Sequence, residues 1–226
     1  MITQAGVTEF KSLYCDENPL IASLLNSHFS GFFIEPILDV GSGLGDITAS
    51  AFPDKNVIHL DILDYSDQAL PDAHSRTVED FFGFVPPARL HIGTIFFCHV
   101  LQFIDDDLDR LNERVRDLSP SYIVTVTNCN DGYMKDLLSW VETNFAAANP
   151  EVELAGFPRG YGLDTQLQFA GTVRCGSHSI LADQVIYLMD ASPSASERDR
   201  LEERLAHDLF SPHLEIKQTI KVYRKT

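Results

Sequence analysis

Along the chain, short and mostly apolar runs alternate with longer stretches in which apolar residues recur every three to four positions. Ile37–Val40, Val57–Asp61, His91–Cys98 and Ser121–Thr127 place apolar or β-branched residues side by side, the pattern of strands buried on both faces. Ser75–Val78 predicts another strand, Gln166–Arg174 a sixth by partial alternation, and the cleanly alternating Leu214–Tyr223 the last. Helical spacing predicts helices over residues 19–29, 45–52, 105–118, 134–148, 177–189 and 196–208, with Pro53 and Pro120 ending two of them. The stretch 65–73 is short for a crossover helix. Strands and helices taking turns imply an α/β fold: a doubly wound, mostly parallel seven-stranded sheet, helices on both faces and an antiparallel last strand.

Composition narrows the picture. With 226 residues, 44% hydrophobic and 15 of them Phe, the chain can fill one core, and no linker, repeat or low-complexity tract divides it. A single domain over 1–226 is expected, with a helical lid over 1–36, a ligand-binding half over 37–128 and a substrate-side half over 129–226. The 17 basic residues against 33 acidic give a net charge of −16, which argues against nucleic acid and favours a neutral or cationic small molecule. Cys15, Cys98, Cys129 and Cys175 form no Cys-x-x-Cys pair, so no zinc or redox motif is indicated and no metal is expected. Neither a basic-then-apolar leader nor an apolar run of membrane length is present, which predicts a cytoplasmic protein without a membrane partner. Nothing in the sequence sets the oligomeric state.

The chemistry concentrates in Ile37-Leu38-Asp39-Val40-Gly41-Ser42-Gly43-Leu44-Gly45-Asp46. A strand running into Gly41-x-Gly43-x-Gly45 and then a helix makes a tight turn that a ligand can approach without meeting Cβ atoms, next to unpaired helix-start N–H groups. The dinucleotide fingerprint asks for glycine at the sixth position of this motif; Asp46 stands there and would repel a diphosphate. Asp61 ends the second strand 22 residues after Asp39, the spacing expected of a carboxylate that accepts from both ribose hydroxyls, with Asp64 as a substitute. His99 follows the fourth strand at the edge where open α/β sheets bind ligands.

Acid-x-Gly-x-Gly-x-Gly from Asp39 to Gly45 resembles motif I of the class I S-adenosylmethionine-dependent methyltransferases, and His99-Val100-Leu101-Gln102-Phe103-Ile104 resembles their motif IV. The resemblance covers residues 37–128 in motifs and the remainder by topology, and implies a Rossmann-like fold with S-adenosylmethionine as cofactor. Asp39, Gly41, Ser42, Gly43 and Gly45 would face its methionine part and ribose. Asp61 and Ile62 would hold the nucleoside, Asp80 would accept from the adenine amino group, Phe81 would pack on the ring, and Cys98 and His99 would line the pocket.

The implied reaction is in-line transfer of a methyl group to a nitrogen or oxygen of a small molecule, for which alignment and exclusion of water are the main tasks. His99 is the first candidate for a base, since an ordinary histidine titrates near neutrality. Tyr14, Asn128, Tyr133 and Tyr161 are candidates to orient the acceptor, Tyr161 together with Arg159 from a glycine-rich loop, 156–162, that could act as a lid. Asp131 competes between a substrate contact and a helix cap. Two other readings stay open: use of the same cofactor without methyl transfer, releasing methylthioadenosine, and a catalytically silent cofactor-binding partner protein.

Overall fold

The computed structural model describes residues 16–87, 90–101, 108–129, 132–145, 156–188 and 191–226. Helix α1 (Glu17–Leu24) runs on through a π turn (Leu25–Phe29) and a 3-10 turn (Ser30–Phe32). Then follow β1 (Ile37–Val40), α2 (Asp46–Ala51), β2 (Val57–Asp61), β3 (His74–Val78), β4 (Thr94–Cys98), α3 (Leu108–Leu118) and β5 (Tyr122–Asn128). The chain continues with α4 (Gly132–Asn144), β6 (Tyr161–Arg174), α5 (His178–Leu188), α6 (Ala195–Asp208) and β7 (His213–Lys225). No helix crosses from β2 to β3, as the short intervening stretch suggests. Strand β6 begins at Tyr161 rather than at Gln166, so Tyr161 and Gly162, the last two residues of the expected glycine-rich lid, are sheet.

The strands form one sheet in the order β3-β2-β1-β4-β5-β7-β6. The first five are parallel, with Val40 level with Leu60 and Phe97, Asp61 with Val78, and Cys98 with Val126. Their carboxyl ends therefore share an edge, and the loops that leave them share it too. Strand β7 is antiparallel: Cys129 N–H donates to the Lys217 carbonyl (2.7 Å) and Lys225 N–H to the Ser121 carbonyl (3.1 Å), so residue numbers rise on one strand as they fall on the other. This is the doubly wound sheet that the hydrophobic pattern implies.

The chain groups into two compact units, each interleaved in sequence. The first holds Asn18–Thr127, Glu153–Gln168 and Thr219–Thr226, and so contains all of the parallel strands except the last residue of β5. Leu38, Val40, Ile58, Leu60, Ile95, Phe97 and Ile123 form one core with Leu111, Val115 and Leu118 of α3. The alternate residues are buried as well: Phe33 packs on Phe52 (ring centroids 4.4 Å) and on Phe96 (5.7 Å). Burial on both faces is why the strands read as continuous apolar runs. Asp39 and His59 are the exceptions in those runs, and both are fully buried.

The second unit holds Met1–Glu17, Asn128–Val152 and Phe169–Gln218, as far as these are described. Leu137, Val141, Val173, Leu181, Val185, Leu201, Leu205 and Leu214 make its core. Helix α6 starts at a capping box in which Ser194 accepts from the Glu197 N–H while Glu197 accepts from the Ser194 N–H. Its charged residues, Arg198 with Asp183 and Glu202 among them, form surface ion pairs. Among the described residues no helix is long and apolar enough to cross a membrane.

Leu111 is 0% exposed at the centre of the first core. Truncation to Ala deletes buried methyl groups and leaves a cavity, so Leu111→Ala is expected to lower the unfolding free energy by about 2–5 kcal/mol in urea denaturation.

Candidate functional site

Strand β1 hands over to α2 through a turn in which Gly41, Gly43 and Gly45 all have left-handed backbones, with φ of 65°, 54° and 78°. Only glycine adopts these at little cost. Two of them, Gly41 and Gly45, are required for a second, steric reason as well. A Cβ on Gly41 would stand 2.2 Å from Val100 Cγ2, so the loop after β4 closes directly on the turn. One on Gly45 would stand 2.8 Å from the His59 ring, beneath the turn. One on Gly43 would meet nothing within 4 Å. Gly43 is itself buried, yet the space beside its backbone is empty.

Charged groups hold the turn from below and from the side. Asp61 Oδ2 accepts the Gly43 N–H (2.8 Å) and Oδ1 accepts the Leu63 N–H (2.9 Å), which leaves each oxygen a further lone pair. Arg76, from β3, donates to the carbonyls of Gly43 (2.8 Å) and Leu44 (3.1 Å). The turn's donor and acceptor are therefore both fixed by side chains from the neighbouring strands. Next to Asp61 the Ile62 side chain is 71% exposed, an apolar surface at the strand-end edge. Ser42 Oγ is buried and has no hydrogen-bond partner among the described residues.

Asp39 does not face this edge, contrary to expectation. It is 3% exposed and points into the sheet, where Oδ2 accepts from Thr48 Oγ1 (2.6 Å) and lies 3.3 Å from His59 Nδ1. Its place in a strand of period two turns it toward α2, and its carboxylate supports the turn from within. Phe81 is likewise corrected. It is 5% exposed, set edge-on to Phe97 (5.5 Å), and belongs to the core, so it has no free face to offer a ring. Asp80 remains exposed, with Oδ1 accepting from the N–H groups of Phe82 (2.6 Å) and Gly83 (3.1 Å).

Cys98 ends β4, half-buried, and His99 follows it in a left-handed backbone with φ 51°. A non-glycine residue in this region is uncommon and marks a place where surrounding structure overrides local preference. The His99 N–H donates to the Val126 carbonyl (3.1 Å), which fixes the residue at the carboxyl end of β4 beside β5. Its ring is half-buried.

The candidate acceptor-side residues are divided between the two units, Asn128 and Tyr133 in the second and Tyr161 in the first. Asn128 ends β5, half-buried. Tyr133, in the second unit, packs against the helical core there and donates from its hydroxyl to Asp208 (3.3 Å). Burial, with Asp208 adding to it, pushes its phenol up to about 12, so it stays protonated at neutral pH. Tyr161 lies at the opposite edge of the parallel sheet, for its hydroxyl donates to the carbonyl of Pro120, just before β5 begins (2.8 Å). Burial raises its phenol to about 12 as well. The segment leading to it is tied to α3, with Asn112 Oδ1 accepting the Arg159 N–H (2.7 Å) and Arg159 paired with Asp109 (2.6 Å). An anchored segment of this kind is not a free lid. Tyr14 and Asp131 lie outside the described residues.

Arg76 and His59 were not singled out from sequence; a His inside the otherwise apolar β2 is a usable signal, since a buried strand carries such a group only with partners, whereas the polar, partly exposed β3 gives no such signal for Arg76. A groove of about 290 Å³ opens on the flank of the turn between α1 and α2, bordered by Asn18, Ala22, Asp46 and Ser50. Asp46 turns its carboxylate to the Asn18 amide there (2.7 Å), and the groove does not reach the strand-end residues described above.

No family model and no curated protein matches the chain. Solved structures do. A cyclopropane-fatty-acyl-phospholipid synthase-like protein from Lactobacillus casei superposes with a TM-score of 0.54 at 12% identity, over 92% of this chain and 90% of that one. A putative type II methyltransferase from Anaeromyxobacter dehalogenans gives 0.55 at 15% identity, over 83% and 87%. A putative sarcosine dimethylglycine methyltransferase from Galdieria sulphuraria gives 0.52 at 15% identity, over 92% and 85%. With its strand order, its antiparallel β7 and its glycine turn at the carboxyl edge of β1, the chain has the Rossmann-like fold of the class I methyltransferases.

Proposed function

We propose that the chain is an S-adenosylmethionine-dependent methyltransferase acting on a small neutral or cationic molecule. The observation that carries this reading is the glycine turn held between Asp61 and Arg76, with empty space beside the Gly43 backbone and Ile62 exposed next to Asp61. These features suit an adenosyl compound. Asp61 keeps lone pairs for ribose hydroxyls, Ile62 offers an apolar surface to an adenine face, and the orphaned Ser42 hydroxyl is satisfied by a polar ligand atom. The cofactor, when bound, supplies an electrophilic methyl group. The chain's own task is then to align the acceptor and to exclude water.

His99 is the residue placed to accept a proton at a ring nitrogen from an acceptor that arrives as an ammonium or a hydroxyl. Its backbone is pinned at the strand end by the Val126 carbonyl. Tyr133 and Tyr161 are too weakly acidic for that role and are committed to Asp208 and Pro120. The net charge of −16 supports a neutral or cationic acceptor over an anionic one.

Thermal unfolding with S-adenosylmethionine, S-adenosylhomocysteine and NAD added separately tests the reading. A ligand at a hundred times its dissociation constant adds roughly 2.7 kcal/mol, and a raised midpoint is expected with the two adenosyl compounds alone. A shift with NAD alone would overturn it. Asp61→Ala is expected to abolish most of the shift, and His99→Ala to lower turnover while leaving the S-adenosylhomocysteine shift in place. Release of methylthioadenosine instead of S-adenosylhomocysteine would show that another group of the cofactor is used.

The three glycines separate stability from binding. Gly43→Ala adds a Cβ in open space and is expected to cost about 1–2 kcal/mol of stability for its left-handed backbone, while weakening S-adenosylhomocysteine binding sharply. Gly41→Ala carries the same penalty plus the collision with Val100, roughly 1–3 kcal/mol more. Denaturation midpoints and calorimetric affinities measured on both variants check the contrast.

A further inference from the structure

One face of β7 is buried along most of its length and carries a single polar break. Leu214, Ile216, Gln218, Ile220 and Val222 occupy alternate positions and are between 0% and 5% exposed. Packing alone would set an aliphatic side chain at each of them. Gln218 stands in the middle of that row at 0% exposure, and neither its Nε2 nor its Oε1 has a hydrogen-bond partner among the described residues. Buried amides are paired as a rule, and packing does not account for one that lacks both partners.

The register of β7 on β5 shows what lies opposite. The Cys129 N–H donates to the Lys217 carbonyl, and the Lys225 N–H donates to the Ser121 carbonyl. These two bonds are eight residues apart on either strand, so neither strand carries an insertion between them. Asn128 therefore stands directly opposite Gln218, and Tyr122 opposite Arg224. Both are pairs that exchange no backbone bonds with each other, the positions at which facing side chains come closest. The Arg224 guanidinium does lie over the Tyr122 ring (5.5 Å), a side-chain contact that agrees with the register. Asn128 and Gln218, both in the second unit, thus present two carboxamides on one face at the carboxyl end of β5.

The amide itself sets the chemistry of the group that fits. Its Nε2 only donates and its Oε1 only accepts. The two atoms point apart, so a single water or hydroxyl oxygen does not meet both with good angles. A carboxylate offers acceptors alone and leaves Oε1 unpaired; an ammonium or amidinium offers donors alone and leaves Nε2 unpaired. A neutral group with an N–H beside a carbonyl serves both at once. The result is the same whichever way the amide is turned, because both of its atoms lack a partner.

We propose that Gln218 and Asn128 form a recognition site for a neutral carboxamide-like group, such as an amide, a lactam or a carbamate, and that this group is the non-reacting part of the methyl acceptor. The second clause rests on the methyltransferase reading; the site does not. Gln218 supplies the buried donor and acceptor, and Asn128, half-buried opposite it, forms the open side of the pair. Unlike Tyr133 and Tyr161, whose hydroxyls are taken by Asp208 and Pro120, Gln218 keeps its polar atoms uncommitted. A neutral group here narrows the neutral-or-cationic class that the net charge of −16 supports.

Three planar probes of one shape test the site: acetamide, which donates and accepts, acetate, which only accepts, and acetamidinium, which only donates. The side-chain NH2 signals of Gln218 and Asn128 in the full chain are followed by nitrogen NMR as each probe is added, with Gln218→Met and Asn128→Ser to assign them. Acetamide is expected to shift both signals saturably, with an affinity at least about tenfold above either charged isostere, since each of those leaves a buried atom unpaired. Gln218→Met is expected to abolish the response. No response to acetamide, or an equal response to all three probes, would overturn the site. So would cross-relaxation of the Gln218 amide with bound water that acetamide does not displace, the sign of buried waters only. Thermal unfolding of unliganded Gln218→Met gives an independent reading. A midpoint at or above that of the wild type is expected when the amide has no partner within the protein, and a drop of several degrees would count against the site. S-adenosylhomocysteine binding is measured on the same samples. Binding without an acetamide response would sink the carboxamide site alone, whereas an acetamide response without any S-adenosylhomocysteine binding would keep the site and overturn its assignment to a methyl acceptor.

Discussion

Asp39 sets a carboxylate inside the sheet, where it is 3% exposed, and much of the local sequence follows from that placement. A buried carboxylate is tolerated when hydrogen bonds and a matching charge surround it. Thr48 supplies a hydrogen bond, the His59 ring stands 3.3 Å away, and His59 in turn leans on His74 and through it on the Phe52 carbonyl. The ring then fills the space under the turn, so residue 45 must lack a side chain. The acid at the head of the motif and the last glycine of it are therefore two ends of one packing arrangement, although neither contacts the other directly.

Above that support the turn is held by its own polar groups. Asp61 takes the Gly43 N–H and Arg76 takes the Gly43 and Leu44 carbonyls, one charge of each sign from adjacent strands. Held on these sides, the turn leaves room for a Cβ only beside the buried Gly43. A site preorganised in this way loses little entropy when a ligand arrives, which is the general advantage of rigid strand ends over flexible loops.

The fold and the chemistry are specified at different levels. Solved structures share the architecture at 12–15% identity, because a doubly wound sheet needs only the right alternation of apolar runs and amphipathic helices. Chemistry on such a fold depends on a few side chains at the strand ends, and in this chain that edge carries Arg76 across the turn and His99 with its left-handed backbone, above the histidine pair.

Sequence alone was enough for the strands, the helices and their order, because consecutive apolar residues between Gly or Pro breaks admit few other structures. It was also enough for the edge on which Asp61, Asp80 and His99 sit, since parallel strands put all their carboxyl ends together. It did not show what each side chain meets there. Phe81 reads as an aromatic beside an acid, yet Phe97 draws it into the core; Tyr133 and Tyr161 read as polar-tipped pocket residues, yet Asp208 and Pro120 take their hydroxyls. Asp39 sits in the expected motif but faces inward, and Arg76 binds a turn more than 30 residues earlier in the chain. Periodicity is a local property of the chain and fixes which face and which edge a residue occupies; partners distant in sequence are brought together only when the strands pair, and that pairing decided which of the marked residues are free to act.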